Sequence, residues 1–528
     1  MKYRKLQGRI ISAKNRPIGD THMDYTELIG RWENKQKILS SNGGVFMIII
    51  DKKNYEKYLE DSGVDSSWKK RDFVSEVEKY MESSLSKVLL VSGLRGTGKS
   101  IGVLQAMQGK DAVYIIMEKG IHTSADEVMR VLESRTEKII ILDEYTWIEN
   151  RKNSELDGFL FTLVSHGKRI VVTGTESLSL EALKTGPLIH RAITLHTTHM
   201  SFPEYCRIYD KPMDQNTCDI YLTQGGIFES YVINNEHTMA NYIEEAIIAN
   251  LKGYIRDYRP LFDDTKISNI IYTLLYRAVW DLLRCNPKLL QSKDNVDTQL
   301  ALDRLGIDLE STQISINDIR AVADLLCSVG VLVKIPNLLN EMENIQDELF
   351  KGYKTYIVNP SLTCQFIKTV FPDYDNMGSI LGLVYEANCM VDMYFQKQAA
   401  DTIYYIESKE ADNYEIDIVI SANDDSRKKQ FYLFECKHRY KVNVHNENWS
   451  IVNGKVDDAL KDKFPDSEIC GRFIIHPGET DWQTHISGKE VAVVNQDEHL
   501  YKYYNFDKLK EIVQKKTPDV HVKKNKIR

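Results

Sequence analysis

Apolar runs recur along the first two hundred positions, at 45–50, 88–91, 112–117, 138–142, 168–172 and 192–195. Each is short, rich in Val, Ile and Leu, and bounded by polar or glycine-bearing turns, which predicts buried strands. Between them the period changes from two to about 3.6. Over 68–86 the residues Phe73, Val74, Val77, Tyr80 and Met81 make one apolar stripe. Segments 101–107 and 156–164 also read as helices. Ser124 followed by Glu127 is a capping box opening a further helix through Leu132. Strands that alternate with helices predict a mostly parallel sheet with helices on both faces. Residues 1–68 precede this pattern as an N-terminal extension with one strand (45–50) and one short helix (53–61). The extension is either an added module or a piece packed on the following domain.

The pattern changes twice more. Residues 69–200 carry the alternation, whereas 201–375 carry helical stripes at 242–251 and 267–283. A helix over 315–328 is followed by Gly330 and two strands, 331–334 and 354–358, an order that suggests a winged helix. Few basic residues lie on that helix, Arg320 being the main one, so a spacer role is favoured over DNA reading. From 376 to 505 a long helix carrying Glu386 precedes a strand series at 404–407, 415–420 and 430–437, with further strands at 471–476 and 490–494. Residues 506–528 form a lysine-rich tail. The expected fold is therefore multidomain α/β: a parallel-sheet α/β domain, a helical and winged-helix-like middle, and a smaller C-terminal α/β domain.

Size and charge add limits. A chain of 528 residues is long enough for several cores. Hydrophobic residues at 42% with charged residues at 27% describe ordinary globular protein, not disorder, and 68 basic against 76 acidic side chains give no global signal for nucleic acid. The eight cysteines include no C-x-x-C pair. Reduced thiols, no zinc, a cytoplasmic setting and no membrane anchor are expected.

Two constellations carry chemistry. The run ending at Val91 leads into Gly93, Leu94, Arg95, Gly96, Thr97, Gly98, Lys99 and Ser100, which fits G-x-x-x-x-G-K-[ST] at every fixed position. Strand, glycine loop and helix start in that order make a phosphate cradle, against the alternative of a glycine-rich surface turn. Lys99 would reach the β- and γ-phosphates, Ser100 would ligate Mg²⁺, and Ile101 would sit at the helix start. The second strand of this kind ends in Asp143 and Glu144, one to hold Mg²⁺ through water and one to polarise the attacking water. Thr173, at the end of another strand, is placed to sense the γ-phosphate or simply to cap its strand. Arg191 is a candidate for stabilising transition-state charge, within its own subunit or from a neighbouring copy, against the alternative of an ordinary surface arginine. ATP and Mg²⁺ are the expected cofactors.

The other constellation is Asp417 on one strand with Glu435 and Lys437 on the next. Side chains alternate faces along a strand, so Glu435 and Lys437 share one and Cys436 takes the other. A suitable register would bring Asp417 beside them, in the Asp…Glu-x-Lys arrangement of metal-dependent nucleases. Two carboxylates would hold Mg²⁺, the lysine would orient water, and Glu386 would complete the metal shell. The alternative is a polar hairpin with a solvated ion pair.

Together these residues resemble a family of prokaryotic AAA-plus-type ATPases that join a nucleotide domain to a winged-helix segment and a C-terminal restriction-endonuclease-like domain. The resemblance runs from about Arg71 to Tyr504. It rests on Gly93 to Ser100, Leu142-Asp143-Glu144, Thr173-Gly174-Thr175-Glu176-Ser177, Ser201-Phe202-Pro203-Glu204-Tyr205, Gly225-Gly226-Ile227, Tyr385-Glu386, Glu415-Ile416-Asp417 and Phe434-Glu435-Cys436-Lys437. It implies a P-loop ATPase whose turnover is coupled to a Mg²⁺-dependent nuclease-like domain acting on DNA. The competing expectation is a nucleotide-regulated switch or scaffold whose C-terminal domain binds without cleaving. Self-association is expected where Arg191 acts across an interface.

Overall fold

The computed structural model describes residues 47–62, 64, 68–94, 96–117, 123–149, 155–174, 180, 183, 188–225, 243–249, 264–284, 316–340, 353–370, 377–396, 401–408, 414–423, 428–439, 442, 444, 449–477 and 482–495. Arg95, the 175–177 and 226–227 segments, Cys285 and the lysine-rich tail lie outside them.

The first sheet takes its order from the apolar runs. Its strands are β1 (Met47–Ile50), β2 (Val88–Ser92), β3 (Ala112–Met117), β4 (Ile139–Asp143), β5 (Arg169–Thr173) and β6 (Ala192–His196), arranged β1-β3-β4-β5-β2-β6. All neighbours are parallel except the β1–β3 pair. Strands β2 and β4 are buried along their whole length, as strands covered on both faces must be. One face packs on helix α1 (Tyr55–Ser62), α2 (Asp72–Glu82) and α3 (Lys99–Met107). The other packs on α4 (Ala125–Glu133) and α5 (Leu156–Ser165). Ser124 caps α4 through the reciprocal Glu127 pair.

Strand β1 and helix α1 belong to this domain. Met47 pairs with Met117, and the Tyr55 hydroxyl donates to the Leu104 carbonyl at 2.9 Å. Residues 47–62 are therefore an edge strand and covering helix of the nucleotide domain, which corrects the boundary drawn at residue 68. The antiparallel neighbour β1 removes the free edge that β3 would otherwise present.

Past β6 come α6 (Phe202–Tyr209), α7 (Gln215–Gln224), α8 (Asp264–Arg284) and α9 (Ile316–Ser328). Then β7 (Leu332–Pro336) pairs antiparallel with β8 (Tyr353–Ile357), so a helix does precede a two-stranded sheet. Helices α10 (Pro360–Val370) and α11 (Met377–Gln396) lead into the second sheet. That sheet contains β9 (Thr402–Glu407), β10 (Glu415–Asn423), β11 (Lys429–Cys436), β12 (Glu468–His476), β13 (Trp482–Ile486) and β14 (Lys489–Asn495), in the order β13-β14-β12-β11-β10-β9. It is mixed, with β11, β12 and β14 parallel and the rest antiparallel. Helix α11 covers one face and α12 (Gly454–Lys463) the other.

One apolar cluster runs from Leu94 in the phosphate loop through α6–α11 to Phe434 and Val494 in the second sheet. The middle and C-terminal parts therefore share a core. No disulfide joins the described cysteines, and most of these are buried. Among the described residues no helix is long and apolar enough to cross a membrane.

Candidate functional site

The phosphate loop leaves the carboxyl end of β2. Gly96 and Gly98 both have φ of 80°, the left-handed region that glycine enters without strain. A Cβ on Gly93 would collide with the Thr197 hydroxyl. Gly98 caps α3 with no side-chain bond to its first amides. Open amides at a helix start form an anion site.

Lys99 is buried, and its ammonium donates to the Gly93 and Leu94 carbonyls at 2.7 and 2.8 Å. Burial pushes it down to about 8, opposed by the nearby Glu144 and Asp143 charges. A buried cation held by carbonyl dipoles beside open amides fits a phosphate chain.

Strand β5 lies between β2 and β4, which brings Thr173 against Asp143. The Thr173 hydroxyl donates to one Asp143 oxygen and the Tyr114 hydroxyl to the other. Burial, then the Asp143 charge, pushes the Tyr114 hydroxyl far up, so it stays a donor, and it also meets Ser100. Asp143 and Ser100, the two expected Mg²⁺ ligands, are thus linked through one phenol. Glu144 has a left-handed backbone (φ 58°), uncommon outside glycine and a mark of functional positions. Its carboxylate accepts from Trp147 Nε1 at 2.7 Å. Ile101 lies in the first turn of α3, half-buried.

Arg191 is placed elsewhere. It precedes β6, and Val88 pairs with Ala192, while the loop leaves from Ser92 opposite His196. A strand of this length separates the two ends by about 16 Å. The exposed Arg191 guanidinium lies 4.0 Å from the Phe161 ring centroid. Action on the loop of its own subunit is thereby corrected, since the side chain sits at the amino-terminal edge of the sheet.

Arg71 was missed from the sequence. This buried guanidinium binds Glu204 with Nε and Nη2 at 2.9 and 3.0 Å. It also donates to the carbonyls of Thr97, Thr197 and His199. Glu204 also accepts from the Asp72 amide at 2.8 Å. Burial alone would raise the Glu204 carboxyl; Arg71 outweighs it and holds the group below 4.5. The Ser-Phe-x-Glu-Tyr segment flagged Glu204 without a role, and nothing flagged Arg71.

The second constellation forms at the edge of the C-terminal sheet. Glu386 on α11 and Glu415 and Asp417 on β10 offer carboxylate oxygens within 4.8 Å of one another. A bulge makes this possible. Ile416 packs with Leu433 on one face and Ile418 with Phe434 on the other, two residues apart. The register against β9 slips between Ile416 and Val419, which turns Asp417 toward α11. The Asp417 carboxylate accepts from the Cys436 amide at 2.7 Å. Burial, then the Glu415 charge, pushes Glu386 up to about 7 despite Lys354 and Lys437. Asp417 rises well above its ordinary range through burial, then Glu386 and Glu435.

Glu435 stands beside that trio and pairs with Lys437 at 2.9 Å. Its Oε2 atom is buried without a hydrogen-bond partner. Crowded carboxylates with an orphaned buried oxygen fit a divalent cation. Glu415 was not among the expected ligands, although the period of two already placed it on the face of Asp417.

Residues 85–206 match the family model described as an AAA domain. No curated protein matches the chain. Among solved structures, partial similarity is found to Saccharomyces cerevisiae Hsp104 in complex with casein, at 15% identity over 35% of this chain and 34% of that one, TM-score 0.22. The Thermotoga maritima RuvB Holliday junction branch migration motor aligns at 12% identity over 54% of this chain and 90% of that one, TM-score 0.22. The replication initiator DnaA bound to AMPPCP and single-stranded DNA aligns at 12% identity over 48% and 82%, TM-score 0.21. The chain spans about a third of the Hsp104 chain. Family match, strand order and loop geometry agree on one statement: residues 85–206 form an AAA-type ATPase domain.

Proposed function

We propose that the chain hydrolyses ATP and couples the cycle to Mg²⁺-dependent cleavage of DNA at the C-terminal sheet. In the first site Lys99 leaves the loop carbonyls for the phosphates, and Glu144 orients the attacking water. Ser100 and Asp143 would hold Mg²⁺, which supplies neutralisation of phosphate charge. In the second, Glu386, Glu415, Asp417 and Glu435 would hold a divalent cation, which supplies charge neutralisation at a phosphodiester. Lys437, held by Glu435, positions the water there. The observation that carries the nuclease reading is the carboxylate trio within 4.8 Å, set beside the Glu435–Lys437 pair.

The test incubates wild type, Lys99→Ala and Glu435→Ala with Mg²⁺, ATP and single- or double-stranded DNA and RNA. Cleavage by wild type, lost in Glu435→Ala and made ATP-independent or lost in Lys99→Ala, is the expected result. Absence of cleavage on every substrate, with ATP hydrolysis intact, leaves the second reading: a nucleotide-regulated switch whose C-terminal sheet binds without cutting.

A further inference from the structure

The carboxylate trio receives a side chain from outside its own sheet. Lys354 lies on β8, in the two-stranded sheet of the middle region, and is 1% exposed. Its ammonium pairs with Glu415 and lies 4.5 Å from the Tyr405 ring centroid. Strand β7 docks on β9 through a bridge between Asn337 and Tyr405 and a bond from Asn337 Nδ2 to the Glu407 carbonyl at 3.0 Å. The β7–β8 pair thus covers the edge of the second sheet and delivers one cation into the carboxylates.

A buried lysine among carboxylates is a monovalent counter-charge placed where a divalent one fits. Both draw on the Glu415 carboxylate. We propose that Lys354 is a positioning residue of the metal site, which holds Glu415 in place and competes with the divalent cation for it, so that the β7–β8 pair sets metal affinity. This rests on the reading that Glu386, Glu415 and Asp417 hold a divalent cation.

The experiment is Mn²⁺ titration of the nucleotide-free full chain, with melting temperature recorded for each variant. Removing the competing charge in Lys354→Met tightens Mn²⁺ binding by about tenfold, because the carboxylates then face the cation unscreened. In a Glu415→Gln background the same substitution changes affinity by less than about twofold, since the competition runs through Glu415. Lys354→Arg, whose guanidinium holds a carboxylate with two donors, weakens binding by about threefold or more. This variant carries the test if Lys354→Met does not fold. Wild-type affinity in both Lys354 variants, or an equal effect of Lys354→Met with and without Glu415, overturns the proposal. Failure of both wild type and Lys354→Met to bind Mn²⁺ at millimolar concentrations overturns instead the metal reading on which it rests.

Discussion

At the scale of single residues the phosphate loop is a set of steric and electrostatic demands. Gly93 leaves no room for a methyl group against Thr197, whose hydroxyl contacts Thr97 at 2.9 Å. Gly93→Ala should therefore destabilise the fold by about 1–3 kcal/mol, the range for overpacking. Thr197→Ala in the same chain should recover part of that loss, as read by urea denaturation. Lys99 makes the opposite prediction. Its ammonium is buried for binding, against its own solvation. Lys99→Met should abolish measurable ATP binding by fluorescence titration, yet leave the melting temperature of the nucleotide-free protein equal or higher. A clear drop in melting temperature would mean that the lysine serves the fold first. These residues were legible because the motif dictates residue type at each position. Lys354 was not, because a lysine in an apolar strand carries no sign of a carboxylate met only through tertiary packing.

At the scale of elements the strands of the first sheet and five of the six in the second were readable from their apolar runs; β13, Trp482–Ile486, was not, because Gln483, Thr484 and His485 break any apolar run, and strand pairing was not readable either. Local pattern fixes which face of β10 is buried only while the period of two holds, and the bulge near Asp417 breaks it. The membership of β1 in the first sheet likewise depends on contact with β3, about 65 residues away. Arg71 and Glu204 show how elements are tied. The pair joins the start of α2 to α6 and places three carbonyls on one guanidinium. Arg71→Met leaves the Glu204 carboxylate buried without its partner, so a loss of about 3–5 kcal/mol is expected. The pH dependence has a definite sign. A carboxyl held below its unfolded value contributes stability that is present above about pH 4.5 and is lost on acidification. Glu204→Gln should flatten the acid limb of stability against pH, measured by chemical denaturation between pH 3 and 6. An unchanged acid limb would exclude the pair as its source.

At the scale of the molecule the question is how one site learns the state of the other. The Gly93–Leu94 peptide is gripped from both sides. Its carbonyl accepts from Lys99, and its N–H donates to the Thr198 hydroxyl at 3.1 Å. That hydroxyl donates in turn to the Val329 carbonyl at 3.0 Å, directly ahead of Gly330 and β7. Val331 then accepts from Val358, at the far end of β8, the strand that carries Lys354. When Lys99 turns to a phosphate, the peptide loses one of its two restraints, and the other leads to the β7–β8 pair. Thr198→Val keeps the shape and removes the hydroxyl. It leaves the Leu94 N–H and Val329 carbonyl unsatisfied, at a cost of about 1–3 kcal/mol. ATP binding should persist, since Thr198 sits behind the loop. Hydrogen exchange at Leu332–Pro336 and Tyr353–Ile357 should change on nucleotide addition in the wild type and stay constant in Thr198→Val. This readout requires neither cleavage nor bound metal, so it tests the connection whatever chemistry the second sheet performs. Equal nucleotide responses in the two proteins would place the coupling on another route, with Arg71, Glu204 and α6 as the next contacts to break.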